Sequence, residues 1–355
     1  MDDLRLEALP DLEAIGDEWD ALALRSRNLF ATREWVTAWW RHFGAGRPLR
    51  AWACRDGEGG LAGILPLYVA RGRPVRILRF VGHGPGDQLG PICGPDERPA
   101  VADALTRALA ESGGWDLFLA ERLPVDEGWP ELVGGVPVRH ASSPVLGIGG
   151  RSWDDYLAAQ TSHFRAQVRR LERKLLRERD LRYRLADDPE RLDADLDLLF
   201  SLHDARWGSE GSGAFSGPRA DFHREFARIC LDRGWLRLWF AELDGRPVAA
   251  WHCMRYAQRE WCYQTGRDPA EESSRVGFVL LSHSIRSAFE DGLDEFRFLL
   301  GPEGYKARFA DGDPGVDTRA HGRGPAGRSA LAAMRGVLRL PPKARRRLGL
   351  ARLAG

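Results

Sequence analysis

One short segment late in the chain carries residue types that could bind a phosphate. It begins at Ser274 and continues through Arg275, Val276, Gly277 and Phe278, between the strand-like run REWCYQTG and an amphipathic helix. Backbone N–H groups at a helix N-terminus, a cation and a residue without a Cβ together form a phosphate cradle. The same residues also suit an ordinary turn between a strand and a helix. We predict that these five residues hold a diphosphate.

Three further polar residues could carry chemistry because of where they stand. His252 lies in the strand-like run AAWHCMRY, and an imidazole has a pKa suited to a general base, although a buried core histidine is the alternative. His83 and Asp87 lie in the loop HGPGDQLGPICG, which follows a strand, and binding residues are often carried on such loops. Asp87 could instead only cap a turn. We predict catalytic roles for His252 and Asp87 and substrate contact for His83.

The elements around these residues follow from hydrophobic periodicity. Apolar residues between 276 and 289 recur with a period near 3.6, which predicts a helix, and Gly292 is placed to end it. The run 295–300 is aromatic and predicts a buried strand. An order of helix, two strands, a further strand, helix and strand occurs twice along the chain. We therefore predict an α/β fold with mixed sheets, built from two similar halves of which the N-terminal one is degenerate.

Composition excludes several classes of protein. The chain has 355 residues, 43% of them hydrophobic and 29% charged, as in an ordinary globular protein large enough for two domains. Its longest apolar run is too short for a bilayer span, and its start lacks a basic secretory region, so we expect a cytoplasmic location. The five cysteines and nine histidines show no metal-binding spacing, so neither a disulfide framework nor a metal site is predicted.

The charge distribution is uneven along the chain. After Asp317 the sequence has ten lysines and arginines and no acidic residue. We predict that 316–355 form a basic tail, flexible or amphipathic, that can contact an anionic membrane or an acidic carrier protein. The helix predicted at 163–179 also carries a ridge of arginines four residues apart, which could be solvated or could receive phosphates, including those of tRNA.

Several segments in a fixed order carry a resemblance to a known family. The chain resembles GNAT-superfamily acetyltransferases of the cellulose and exopolysaccharide-biosynthesis type, tandem-GNAT relatives of the FemABX peptidyltransferases. The resemblance spans roughly 4–312 and rests on LFATREWVTAWWRHFG, DGEGGLAGILPLYV, the loop with Asp87, SHFRAQVRRLERKL, HDARW, ELDGRPVAAW and GPEGYKARF. It implies an N-terminal GNAT-like domain at 1–145 and a C-terminal GNAT domain with the acyl-donor site at 146–315.

The resemblance also implies roles for individual residues. In GNAT folds a backbone N–H of the splayed strand stabilises the oxyanion, which here indicates the region of Tyr263, Gln264 and Thr265. A tyrosine after the last core strand often protonates the leaving thiolate, and Tyr305 stands in that place, although it could be a packed tyrosine in a closing turn. Lys306 is one of three lysines in a chain that has 49 arginines, and we predict that it holds a phosphate or carboxylate.

Arg206 and Trp207 stand beside the Gly/Ser-rich loop GSEGSGAFSG, which looks like a substrate lid. We predict that both contact the acceptor. The function expected is N-acyl transfer by direct attack from acetyl-CoA or a longer acyl-CoA, without metal, to an amine of a small molecule, sugar, lipid or peptide. Alternatives are an aminoacyl-tRNA donor as in FemABX, an acyl-carrier-protein donor, or a non-catalytic scaffold. The acceptor, the acyl length and the oligomeric state stay open.

Overall fold

The computed structural model describes residues 3–70, 74–208 and 213–339. The described residues divide into two compact units, and each unit contains one β-sheet. The first unit runs up to residue 142 and resumes at 314, while the second unit is 143–313. The predicted α/β class with mixed sheets in two similar halves is confirmed.

The first unit contains a sheet in which eight described strands take part, in the order β1-β2-β3-β4-β6-β14-β7 with β5 paired to β3. Most neighbours are antiparallel, and β4 and β6 are parallel. Its elements are β1 (Arg5–Leu9), α1 (Asp17–Ser26), α2 (Arg33–Phe43), β2 (Leu49–Arg55), β3 (Leu61–Ala70), β4 (Ile77–Phe80), β5 (Ile92–Cys93), α3 (Arg98–Glu111), β6 (Leu117–Pro124), α4 (Trp129–Val133), β7 (Val136–Ala141), β14 (Val316–Gly322) and α10 (Gly324–Arg339).

The second unit contains a sheet of six described strands in the order β8-β13-β12-β11-β10-β9. Its central strands are antiparallel, whereas β12 and β13 are parallel because α9 connects them. Its elements are β8 (Val145–Gly147), α5 (Trp153–Ala159), α6 (Ser162–Glu178), β9 (Arg182–Leu185), α7 (Leu192–Trp207), α8 (Pro218–Asp232), β10 (Leu236–Leu243), β11 (Arg246–Tyr256), β12 (Arg259–Arg267), α9 (Val276–Glu290) and β13 (Glu295–Arg297).

The core of the second unit fixes the start of α9. Val276, Val279 and Leu280 are buried against Trp251 and Cys253 of β11, so the helix lies along one face of the sheet. Burial of such an apolar stripe supplies most of the stability of a helix in a protein. The first turn of α9 is therefore held next to the exposed ends of β11 and β12.

The prediction of a free tail from residue 316 onward is wrong for its first part. Val316–Gly322 forms β14, which pairs antiparallel with both β6 and β7 and therefore lies inside the first sheet. The amphipathic alternative describes the next part, since Leu331 and Met334 of α10 pack against a small cluster around Leu119. The remaining residues, with Lys343 and the basic cluster after it, lie outside the described part.

Candidate functional site

The second sheet splits where β12 and β13 part. β13 pairs with only the first three residues of β12, through Arg259–Trp261 against Glu295–Arg297. β12 itself continues to Arg267, paired on its other side with β11. The pairing of β13 with β12 ends at Arg297, whereas the N–H of Phe298 still donates to the carbonyl of Pro144 on the β8 side. The structure thus places a gap beside the second half of β12.

A β-bulge interrupts the ladder at the start of this gap. His252 lies opposite Gln264 while the next residue, Cys253, lies opposite Cys262, so Tyr263 is an extra residue in β12. Bulges re-aim the backbone and side chains at sheet edges and beside active sites. Tyr263 and Gln264 are half-buried, whereas Thr265 is buried with its hydroxyl donating to the carbonyl of Ala250 at 3.0 Å. The region that was predicted to stabilise an oxyanion is therefore an irregular part of β12.

The second unit contains a cleft of about 340 Å³ that includes Arg267, the last residue of β12. It brings together five of the residues predicted from the sequence, namely Arg206, Arg275, Gly277, Phe278 and Tyr305. The remaining lining residues are Trp251, Arg267, Glu272, Leu281 and Arg308. The first turns of α9 and Tyr305 therefore line the same cleft.

The cleft carries positive charge that the described protein does not neutralise. Of its arginines, Arg267 forms an ion pair with Glu272 at 2.7 Å. Arg206 donates to the Thr265 hydroxyl at 3.2 Å, and Arg308 donates to the amide oxygen of Gln167. Among the described residues no carboxylate lies within ion-pair distance of Arg206, Arg275 or Arg308. Three uncompensated guanidinium groups around one cleft favour an anionic ligand with several charges.

The start of α9 differs from the cradle that the sequence predicted. The Val276 N–H donates to the Ser274 hydroxyl at 3.3 Å, and the Phe278 and Val279 N–H groups donate to the carbonyl of Arg275. Ser274 thus makes local contacts in the turn before α9, where its hydroxyl also donates to the carbonyl of Glu271, and it does not line the cleft. Gly277 keeps open space, since an added Cβ would have the Arg267 Cδ as its nearest neighbour at 3.8 Å. An anion here would contact guanidinium groups and the positive end of the helix more than a ring of free amides.

Tyr305 is tied to the helix start through Trp251. The Trp251 and Tyr305 rings meet edge to face with centroids 5.6 Å apart, and the Trp251 indole N–H donates to the carbonyl of Gly277 at 3.0 Å. Burial raises the pKa of the Tyr305 phenol well above its ordinary value, and the carboxylate of Glu303 raises it further. The phenol therefore keeps its proton at neutral pH and can act as a proton donor.

His252 lies outside the cleft. Its side chain is 1% exposed, its ring lies 6.1 Å from that of Tyr263, and neither ring nitrogen has a hydrogen-bond partner among the described residues. Burial lowers the pKa of His252 to about 4. A proton relay from the cleft to this imidazole has no support in these contacts, so the prediction of a general base is not supported by the geometry.

The buried histidines predict how stability depends on pH. His252 has a folded-state pKa of about 4, below the ordinary value of 6.5, so the unfolded chain binds more protons below pH 6.5. Stability should therefore fall by about 2 kcal/mol between pH 7 and pH 5 through this group alone. Burial also lowers the pKa values of His223 and His203, which adds to the loss. Urea unfolding across this range, compared with His252→Gln, should show a flatter profile for the variant; equal slopes would contradict the assignment.

Asp87 and His83 belong to the first unit. Asp87 forms an ion pair with Arg122 at 3.2 Å, and Arg122 also donates to the carbonyl of Gly84 at 2.8 Å. The Tyr68 hydroxyl lies 3.3 Å from the His83 Nδ1. These contacts hold the loop in shape, which corresponds to the structural alternative for Asp87. The catalytic role of Asp87 and the substrate contact of His83 stay predictions.

Lys306 and Trp207 differ in how they relate to the cleft. Lys306 is 5% exposed, and its ammonium pairs with Glu303 at 2.9 Å and donates to the carbonyls of Leu299 and Leu300. These contacts fix the turn before Tyr305 and give no support to substrate binding by Lys306.

Trp207 is 38% exposed and lies under the guanidinium of Arg206 at 4.7 Å. The predicted lid loop falls partly on 209–212, outside the described residues.

The sequence did not predict Trp251, Arg267 or Arg308 as site residues. Arg308 lies three residues after Tyr305, and its guanidinium stacks on the rings of Phe164 and Phe278 at 5.5 and 5.0 Å. Its place in the cleft depends on α6 and α9 packing together, which no local pattern indicates.

Among the described residues no group of three or more potential ligands could hold a metal ion. No helix in that part of the chain is long and apolar enough to span a bilayer.

Comparison with known proteins agrees with this geometry. Residues 162–307 match the family model described as Acetyltransferase (GNAT) domain, while no curated protein sequence matches the chain. The structure of FemX superposes with a TM-score of 0.61 at 12% identity, over 88% of this chain and 96% of that one. A tandem GNAT protein from the clavulanic acid biosynthesis pathway gives 0.50 at 14% identity, over 91% and 99%. L-PGS from Bacillus licheniformis gives 0.50 at 13% identity, over 84% and 95%. The chain thus has a tandem GNAT-like fold, and the match to the GNAT acetyltransferase domain model falls within its second unit.

Proposed function

We propose that this protein is an N-acyltransferase that moves an acyl group from a CoA thioester to an amine by direct attack. The observation that carries the proposal is the cleft in the second unit, where three uncompensated arginines and the start of α9 lead to the phenol of Tyr305. The match of 162–307 to an acetyltransferase domain supports the same class of reaction.

The cleft fits the charge and shape of a nucleotide thioester. Coenzyme A carries a diphosphate and a further phosphate, and guanidinium groups bind phosphates through paired hydrogen bonds. Arg308 stacks on Phe278 at 5.0 Å and Arg275 directly precedes α9, so two guanidinium groups of the cleft are available to phosphates at the start of α9. The apolar surface of Trp251 and Leu281 is suited to the acyl-bearing arm of the donor.

The chemistry assigned to the residues is limited to two steps. The acceptor nitrogen forms a bond with the thioester carbon, and the irregular strand at Tyr263 and Gln264 lies beside the gap where charge develops on the carbonyl oxygen. The carbon–sulfur bond then breaks, and Tyr305 donates its proton to the departing sulfur. The acceptor nitrogen loses one proton, and the Tyr305 phenolate regains one from solvent.

The proton on the amine has no protein base in the described cleft. Glu272 is the one carboxylate among the described lining residues, and the guanidinium of Arg267 lowers its pKa. A weakly basic carboxylate held in an ion pair is a poor acceptor for an ammonium proton. We therefore expect the amine to react in its neutral form, with its proton passing to water.

A second donor class is compatible with one feature of the cleft. Guanidinium groups without carboxylate partners also suit the phosphates of an aminoacyl-tRNA. FemX and L-PGS share the fold, although fold alone does not fix the donor. A charged tRNA would need a longer basic path, and on α6 part of the arginine ridge is paired, through Arg169 with Asp154 at 3.8 Å and Arg177 with Glu178 at 2.5 Å. The CoA donor is therefore the proposal.

The test is acyl transfer with each donor class to a panel of amines. Purified protein is mixed with acetyl-CoA, octanoyl-CoA, an acylated carrier protein or an aminoacyl-tRNA, and the acylated amine is detected by mass spectrometry. We expect product from the CoA thioesters together with an equal amount of free CoA thiol. Product formed only with the aminoacyl-tRNA, or only with the acylated carrier protein, would contradict the CoA donor and identify that other donor. Absence of product with every donor would favour a non-catalytic protein.

A further inference from the structure

Arg206 lines the cleft from a different element than the residues at the start of α9. Arg206 comes from α7, which packs on β12 and β11. The ring of His203 on α7 contacts that of Phe215, and Phe215 contacts His223 on α8. His223 in turn contacts the ring of Tyr263 on β12. α9, in contrast, packs on the side of the sheet that carries Trp251 and Cys253. Arg206 therefore reaches the cleft from the face of the sheet opposite to the one that carries α9.

Arg206 is held in position by neutral groups. Its guanidinium lies between two aromatic rings, 4.7 Å from that of Trp207 and 5.9 Å from that of Tyr305. One nitrogen donates to the hydroxyl of Thr265, and that hydroxyl donates in turn to the carbonyl of Ala250. A guanidinium has five N–H donors in a planar fork, so most of its donors remain for a ligand. The fork is fixed, and no carboxylate of the described residues lies within ion-pair distance of it.

Four other arginines of the same unit that are shielded from water are neutralised, whereas Arg206, Arg237 and Arg308 have no carboxylate within ion-pair distance among the described residues. In each of the four the guanidinium lies within 3.0 Å of a carboxylate. The pairs are Arg184 with Asp195, Arg255 with Glu260, Arg286 with Glu172 and Arg297 with Glu295. Removing an arginine from water without a counter-charge is unfavourable, so proteins pair such groups. Arg206 departs from this pattern at a position that lines the cleft beside Tyr305. A ligand can supply the missing anion.

We propose that the acceptor amine carries a carboxylate or a phosphate, and that Arg206 binds this group while the amine faces the thioester. This inference rests on the proposed function and adds the class of acceptor to it. The donor occupies the α9 side with Arg275 and Arg308, and the anionic group of the acceptor occupies the α7 side. Arg206 is thus a specificity-determining residue.

The experiment compares acceptors that differ only in the anion. With saturating acetyl-CoA, release of CoA thiol is measured for glycylglycine against glycylglycinamide and for glucosamine 6-phosphate against glucosamine. We expect kcat/KM for the anionic member of at least one pair to exceed that of its neutral partner by about tenfold or more. The pair that shows the preference tells carboxylate from phosphate.

The variants assign that preference to Arg206. Arg206→Gln should lower kcat/KM for the anionic member by about ten- to a hundredfold and leave the neutral member within about threefold. Arg206→Lys should fall between, since an ammonium keeps the charge without the planar fork. The matched control is Arg237→Gln, because within the described residues Arg237 donates only to the carbonyls of Gly234 and Leu236, and it does not line the cleft.

Calorimetry separates failure of this inference from failure of the proposed function. Absence of CoA binding by the wild type overturns both. CoA binding without any anionic preference, or a preference that survives in Arg206→Gln, overturns the acceptor assignment alone. A loss of CoA affinity in Arg206→Gln would move Arg206 to the donor side. If no pair is turned over, CoA-saturated protein is titrated with N-acetylglycylglycine and N-acetylglucosamine 6-phosphate, and failure to bind either contradicts the inference.

Discussion

Tyr305→Phe is expected to lower kcat by about ten- to a thousandfold while leaving the affinity for the acyl donor within about threefold. The variant keeps the ring that packs on Trp251 and Arg206, so the cleft retains its shape. It removes the phenol, whose pKa is raised by burial and which is therefore protonated at the pH of the reaction. The sulfur must then leave as an unprotonated thiolate, which is the less stable product.

The control for this variant is Tyr156→Phe. The hydroxyl of Tyr156 donates to the carbonyl of Phe309 at 3.0 Å in the same unit, and Tyr156 does not line the cleft. We expect that change to affect stability and to leave kcat nearly unaltered. An aryl thioester provides a second check, because its thiol leaves without a proton and the Tyr305→Phe defect should shrink. Unchanged turnover of the CoA thioester by Tyr305→Phe would remove Tyr305 from the mechanism.

Gly277→Asp should abolish measurable donor binding, a loss of at least about a hundredfold in affinity, without destabilising the fold. A Cβ at this position has no neighbour closer than 3.8 Å, so the side chain fits and projects toward the cleft. A carboxylate there would neutralise Arg275 and repel the phosphates of the donor. Because an acidic residue in the first turn is favourable for a helix, the melting temperature should stay equal or rise.

Gly277→Asn separates charge from bulk. Asparagine has nearly the shape of aspartate but no charge, so it should keep most of the donor affinity if the loss in Gly277→Asp is electrostatic. Equal losses in both variants would mean that the glycine is needed for room, with phosphates packed directly on the helix. Retained affinity in Gly277→Asp would contradict the placement of phosphates at the start of α9.

The elements of the site were predictable where their pattern is local. The helix expected from residue 276 begins at Val276, and Gly292 follows its end with φ +66°, as the sequence predicts. The strand expected at 295–300 is shorter, because Leu299 takes a positive φ of 57° and the chain turns away after Arg297. That turn widens the split beside β12. The positive φ at Leu299 is a backbone conformation that hydrophobic periodicity cannot indicate.

The parts that could not be predicted are those that depend on partners distant in sequence. His252 was a candidate base because its residue type suits one, yet the register of β11 and the packing of α7 and α8 leave it buried. Val316–Gly322 has only two apolar side chains, Val316 and Ala320, and it forms a strand where β6 and β7 both offer it an edge. Arg308 and Trp251 reach the cleft through the packing of α6, α9 and β11.

The most direct test of the account is a calorimetric titration of the wild-type protein with acetyl-CoA and, separately, with acetyl-pantetheine, which has the same thioester but no diphosphate or nucleotide. If the arginines at the start of α9 hold the phosphates, acetyl-CoA should bind with a Kd in the micromolar range, and acetyl-pantetheine should bind at least about a hundredfold more weakly. Equal affinities for the two thioesters, or no heat with acetyl-CoA, would contradict the account.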